Sequence, residues 1–276
     1  MGWRAGPLKI KGSQQKGFIL EELTWCEVAE ALRSPFPVAL LPLGSTEAHG
    51  PHLPLGTDAM ISREMVLRAA CELRRKGINA LILPSVSYGV SYFASPFAGT
   101  IPVSQATLIS LVQDICLSVL DMGFATICLC TAHLEPAHFE GFHKVREFIK
   151  QHTGVTIGVP DNRDAEWAAQ LGEEFRKGAR HAGSYETSLL LAADPVLVRQ
   201  EICRNLPPVW IDLPAKARSG AKTFREAGSD QAYFGDPAQA SVKEGEAYFD
   251  ALAQMVVSTV ESLLQERKAN SGKEEQ

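Results

Sequence analysis

LPLGSTEAHGPHLPLGTD, residues 41–58, places one glutamate, two histidines and one aspartate among Gly44, Gly50, Gly56, Pro51 and Pro54. So many glycines and prolines exclude a helix, and the polar side chains exclude a buried strand. In extended backbone, residues two apart point the same way, so Glu47 and His49 aim a carboxylate and an imidazole at a common point. Asp58 stands just before an apolar-periodic run, where it either caps a helix or supplies a third oxygen ligand. An isolated E-x-H is more often a polar surface loop, so the meaning of the stretch depends on its surroundings.

Upstream lies VALLPL, Val38–Leu43, an apolar run that reads as a strand buried on both faces. Downstream, Met60 to Lys76 carries apolar residues at helical spacing and stops before Gly77. The pattern then repeats. Ala80 to Leu83 reads as a strand, Ser104 to Met122 as a helix, Ala125 to Cys130 as a strand, Pro136 to Thr153 as a helix, and Val155 to Val159 as a fourth strand. An amphipathic helix over Glu21 to Leu32 precedes the series. This alternation predicts an α/β fold, a mainly parallel sheet with helices on both faces. Ligands in such sheets bind beyond the carboxyl ends of the strands, which puts the polar clusters at 45–58, 85–100 and 131–135 on one rim.

Past Asp161 the signal weakens to a helix over 164–176, a short helix ending at Leu191, a Pro-rich passage from Asp194 to Pro237 and a long helix from Ser241 to Gln265. Residues 1–18 read as an N-terminal arm, 19–265 as a single domain and 266–276 as a charged, disordered tail.

His133 and Glu135 form a second pair two apart, again just past a strand. Two such pairs on one rim, with Asp58, supply two imidazoles and three carboxylates, a donor set for borderline to hard divalent ions such as zinc or manganese, with iron also compatible. Five ligands exceed the three protein groups of a usual catalytic zinc and suit two ions, with Asp58 as the bridge. The third cluster is HAGSYETS, residues 181–188. Glu186 is explained by the first turn of a helix starting near Ser184, whereas His181 is not, and an imidazole beside the metals is a natural proton donor to a leaving nitrogen. His52 either contacts substrate or fills space, and Tyr88 in the loop 85–100 is a further candidate contact. His138, His143 and His152 read as surface or packing residues of the helix after Glu135.

The net charge of −5 without a basic stripe argues against nucleic acid and for a small-molecule substrate. Six dispersed cysteines, no signal-like start and no apolar run long enough for a membrane span predict a cytoplasmic protein with free thiols and no membrane attachment.

The motif G-S-T-E-A-H-G-P-H-L-P-L-G-T-D resembles the leading signature of the creatininase (creatinine amidohydrolase) family, and H-A-G-S-Y-E-T-S resembles its later H-x-G-x-x-E-T-S element, with G-D-P-A-Q-A-S-V-K-E-G at 235–245 also in register. The resemblance implies an αβα sandwich, commonly a homohexamer, with two divalent metals per subunit. It implies Glu47, His49, Asp58, His133 and Glu135 as ligands, His181 as catalytic acid/base, and Glu186 as an extra ligand or a partner of one. The implied reaction is hydrolysis of a C–N bond in a small amide, cyclic amide or formamide by a metal-bridging hydroxide. Alternatives are hydrolysis or isomerisation of a sugar-like ring ketone, or a metal-binding homologue without catalysis.

Two segments depart from the family pattern. Thr131–Pro136 stands where many members read N-G-H-G-G-N, and Lys177–His181 stands where creatininases resemble W-D-x-E-H. The second leaves no tryptophan to cover a substrate and argues against creatinine itself. It puts Lys177 and Arg180 there instead, which points to a substrate carrying an anionic group.

Overall fold

A computed structural model describes residues 18–274, with side chains to Ala269. The N-terminal arm therefore lies outside the described residues except for Phe18, which is buried. In chain order the elements are α1 (Trp25–Ala31), β1 (Val38–Leu43), α2 (Thr57–Arg75), β2 (Ala80–Ile82), α3 (Gln105–Asp121), β3 (Thr126–Thr131) and α4 (Pro136–Thr153). There follow α5 (Ala165–Ala168), α6 (Gly172–Arg176), α7 (Ser184–Ala193), α8 (Gln200–Asn205), α9 (Leu213–Arg218), α10 (Phe224–Ala227) and α11 (Val242–Glu274).

The three strands form a parallel sheet in the order β2-β1-β3, and every residue of each strand is buried. Pro42 is tolerated in the central strand because its carbonyl faces the β2 side, where it accepts the Val86 N–H. Its missing donor falls where β2 has already ended. Since β2 and β3 flank β1 on opposite sides, two right-handed crossovers in opposite directions put α2 and α3 on opposite faces. α2 packs with α11 and α7, and α3 packs with α4. The fold is an αβα sandwich.

This topology also fixes where a site can form. β1 leads out to α2 on one face, while its neighbour β3 leads out to α4 on the other. A crevice opens between their carboxyl ends, at the switch point of the sheet. Gly44 lets the start of α2 sit tightly on the end of β1, since a Cβ there would lie 2.5 Å from the Ala59 backbone nitrogen. That contact presses Asp58, the second residue of α2, into the crevice.

Three expectations need correction. The fourth strand over 155–159 is reduced to a single bridge at Gly158, whose N–H and C=O bond Ile127 and Leu129. The next donor needed on that side would come from residue 160, which is a proline. The helix over 164–176 is broken into α5 and α6 at Gly172, whose φ of 85° is left-handed. The final helix continues to Glu274, through 266–274 where a disordered tail was expected. Arg267, on this extension, donates to the Ala125 carbonyl. The Pro-rich passage after Asp194 carries four short helical turns, tied down by the antiparallel bridge between Val209 and Gly235 and by the Tyr233 hydroxyl on the Pro207 carbonyl.

Candidate metal centre

Glu47 and His49 leave the end of β1, Asp58 enters from the first turn of α2, and His133 follows β3. His181 precedes α7, and Glu186 lies in its first turn. All six side chains are buried and converge. The His49 Nε2 is 3.3 Å from Asp58 Oδ1 and 3.6 Å from Glu186 Oε2. The His133 Nδ1 is 3.1 Å from Asp58 Oδ2 and 3.2 Å from Glu47 Oε1, and the His181 Nδ1 is 3.6 Å from that same Glu47 oxygen.

Each imidazole is anchored at its other nitrogen. His49 Nδ1 meets the Glu47 carbonyl at 3.1 Å, His133 Nε2 the Val90 carbonyl at 2.6 Å, and His181 Nε2 the Ala48 carbonyl at 2.8 Å. A carbonyl only accepts, so these nitrogens carry the proton in the neutral rings, and the opposite lone pairs point at the carboxylates. Backbone carbonyls orient metal-binding histidines in this way. Glu47 Oε2, His49 Nε2 and Asp58 Oδ2 are buried without any hydrogen-bond partner, which is costly unless a cation completes them. Ligand atoms fall into groups within 4.8 Å of one another: Glu47, Asp58 and His133; His49, Asp58 and Glu186; and Glu47, His49 and His181. The residues thus fit a metal centre, and Asp58 joins the first two groups through separate oxygens.

Electrostatics point the same way. Burial alone would lower the His49 imidazole, but Asp58, Glu186 and Glu47 outweigh it and push it up to about 10. His133 is likewise raised well above its ordinary value, against burial, by Glu47 and Asp58. Burial, with the charges of Asp58 and Glu47, pushes Glu186 up to about 8 against the pull of His49. The cluster has more negative charge than its surroundings compensate. His181 differs from the other two histidines: burial and the neighbouring His49 charge hold it well below its usual value, so its ring is neutral.

Glu135 takes another course. It is the N-cap residue of α4, ahead of Pro136, and its two oxygens accept the N–H groups of Tyr92 and Phe93, each at 3.2 Å. Burial pushes its carboxyl up to about 7 against His133 and those N–H bonds. It lies outside all three ligand groups but lines the same cavity, of about 510 Å³, as Glu47, Asp58, His133, His181 and Glu186.

Of the expected substrate contacts, Arg180 lines this cavity. His52 is fully buried against the Thr187 hydroxyl, Tyr88 is half-exposed outside the cavity, and Lys177 pairs with Glu173 on the surface. His138, expected at the surface or in packing, is fully buried beside the site. Its Nδ1 accepts the Val90 N–H, while its Nε2 meets the Thr131 hydroxyl at 3.3 Å. The same Val90 holds the His133 ring through its carbonyl, and the Thr131 hydroxyl accepts the His133 backbone N–H. His138 therefore orients the backbone that orients His133. Sequence reading also missed Phe93, Arg163, Leu213, Pro214, Arg218 and Phe224 in the cavity wall. Phe224 packs 4.2 Å from the His181 ring and 5.9 Å from Phe93, an aromatic wall in place of the missing tryptophan. These residues come from segments without periodicity, so no local pattern marks them.

The family model for creatininase, creatinine amidohydrolase, matches residues 21–260. The mycofactocin precursor peptide peptidase of Mycobacterium tuberculosis is 30% identical over 244 residues, covering 83% of this chain and 86% of the relative. The creatinine amidohydrolase of Pseudomonas putida is 31% identical over 208 residues, covering 70% of this chain and 78% of the relative. A solved manganese creatininase superposes with a TM-score of 0.70 at 24% identity, over 90% of this chain and 98% of the other, and shares the fold. Among the described residues no helix is long and apolar enough to cross a membrane. With the signature residues gathered at the switch point of such a sandwich and the family model spanning nearly all of it, the chain belongs to the creatininase family of hydrolases.

Proposed function

We infer that the chain hydrolyses the C–N bond of an amide, in a small molecule or a short peptide, with two divalent ions, zinc or manganese. One ion would be held by Glu47, Asp58 and His133, the other by His49, Asp58 and Glu186, so Glu186 replaces Glu135 in the expected ligand set. The observation that carries this reading is Asp58, whose two oxygens face two different imidazoles at 3.3 and 3.1 Å. Ions bound there would acidify a water molecule and polarise the substrate carbonyl.

The chain's own groups do the rest. His181, neutral and fixed at Nε2 by the Ala48 carbonyl, presents Nδ1 to the cavity side of Glu47. It can take a proton there and return it to the departing nitrogen. Water is added across the bond: hydroxyl to the carbonyl carbon, proton to the nitrogen, giving an acid and an amine. Glu135, pinned by Tyr92 and Phe93, orients the substrate from the β3 side. Phe93 and Phe224 exclude bulk water.

The test is a panel of amides and short peptides on metal-loaded protein, with metal content measured beside it. His181→Ala should abolish turnover while leaving metal content near the wild-type level. Equal loss of both would make His181 a structural or ligand residue and refute its role as proton carrier.

A further inference from the structure

Among the described residues three arginines line the cavity, and their surroundings differ. Arg163 is neutralised: its Nε and Nη2 meet the two oxygens of Asp161 at 2.8 and 2.6 Å, and its guanidinium lies over Phe139. Arg180 is half-buried; its guanidinium lies over the Phe175 ring, 4.6 Å from the centroid, and its one side-chain hydrogen bond runs from Nε to the Phe175 carbonyl at 2.8 Å. Among the described residues no carboxylate lies within ion-pair distance of it. The two acids near enough to act on its charge are already engaged, Asp161 by Arg163 and Asp212 by the Ala215 N–H at the start of α9. Burial, and then the like charge of Arg163, hold the Arg180 guanidinium below its ordinary value against the weaker pull of Asp212 and Asp161. Arg218, at the end of α9, also lines the cavity and has no ion-pair partner among the described residues.

The cavity is therefore polar at two places of opposite sign, with Phe93, Leu134, Leu213, Pro214, Ala217 and Phe224 supplying the apolar wall. We propose that Arg180, assisted by Arg218, forms an anion subsite that binds a free carboxylate on the substrate, so that the preferred substrates are amides bearing an apolar group and a carboxylate, such as the carboxyl-terminal end of a short peptide. A half-buried guanidinium with both Nη groups unspent offers the planar fork that matches two carboxylate oxygens. A phosphate would call for further donors, and among the described residues the lining supplies no hydroxyl or amide side chain beside the arginines.

This rests on the amide-hydrolase reading, so the test separates the two. Binding is measured calorimetrically on the metal-loaded full chain with N-acetyl-phenylalanine and with its carboxamide. In parallel, hydrolysis is followed for pairs of short peptides ending in a free carboxylate or in an amide. The acid should bind about tenfold more tightly or better than the carboxamide. Arg180→Met should bring the two near parity, and the exposed Arg218→Met, which carries little risk to folding, should reduce the preference in part. Parity in the wild type, or a preference that survives in both variants because the metals hold the anion, would overturn the subsite. Phenyl phosphate binding ahead of phenylacetate would overturn the carboxylate assignment. Acid-selective binding that depends on Arg180, with no peptide or amide cleaved, would uphold the subsite and defeat the hydrolase reading. Cleavage indifferent to the carboxylate would do the reverse.

Discussion

Glu47 with His49, and His133 with Glu135, are pairs two residues apart just beyond the ends of adjacent parallel strands, and they behave differently. In the first pair both side chains turn toward Asp58, whereas in the second only His133 does. The cause is the chain that follows. After His49 the loop runs on through Gly50 at φ 62° and reaches α2 only at Thr57, so nothing competes for the Glu47 carboxylate. After Glu135, Pro136 starts α4 at once, and the carboxylate is drawn to the N–H groups of Tyr92 and Phe93 instead. A further carboxylate reaches the cluster from Glu186, whose Oε2 lies 3.6 Å from His49 Nε2, also accepts the N–H of Ala182 at 2.6 Å and so holds a non-glycine residue at φ 50°. Equal spacing in sequence thus yields unequal roles, decided by where the next helix begins.

The comparison can be broken most severely at Asp58, the residue both halves share. Asp58→Asn should reduce the metal content from about two ions per chain to well below one and take turnover to background. Plasma mass spectrometry on chelator-free protein checks it, and full loading of the variant would refute the shared-carboxylate arrangement. A sharper test sets Glu186→Gln against Glu135→Gln. The first should lose about one of two ions, the second should keep both and lose turnover only. If instead Glu135→Gln were the variant to lose metal, the assignment of the two carboxylates would have to be exchanged.

Much of this was legible in the sequence. The pattern of short apolar runs and glycine-terminated helices predicted β1, β2, β3 and the helices between them to within a few residues, because buried parallel strands and amphipathic helices write their environment into local periodicity. The convergence of Glu47, His49, Asp58 and His133 followed from the rule that parallel sheets bind at their carboxyl ends. What could not be read was set by contacts distant in sequence. Nothing local shows that Glu135 meets the backbone of Tyr92 and Phe93, that Phe224 packs against His181, or that Asp161 is taken by Arg163 and leaves Arg180 without an ion pair. His138, read as a surface or packing residue, packs in the interior, and its link to His133 was hidden for the same reason, since its partners Val90 and Thr131 lie on a loop and at the end of β3.

His138 gives the next effect in size. Its loss leaves the Val90 N–H and the Thr131 hydroxyl without their imidazole, and His133 is held by the Val90 carbonyl and, at its backbone N–H, by that hydroxyl. His138→Leu should weaken metal binding by about 10- to 100-fold, measured by competition with a chromogenic chelator, while the metal count at saturation stays unchanged. His138→Gln, which keeps an acceptor, should recover part of that loss. An affinity unchanged in the leucine variant would show that His133 needs no such support.

The smallest effect expected is at Pro136, and it bears directly on why the two pairs differ. Proline at the first position of α4 pre-sets the backbone for the helix and restricts the unfolded chain. Pro136→Ala should cost about 0.4–1 kcal/mol of stability, read from the midpoint of urea unfolding on the metal-loaded protein. Metal content and the role of Glu135 should be untouched, because the Tyr92 and Phe93 N–H groups remain to hold that carboxylate. If the alanine variant changed its metal stoichiometry instead, the proline ring itself, and not the helix start with the two backbone donors, would be what turns Glu135 away from Asp58.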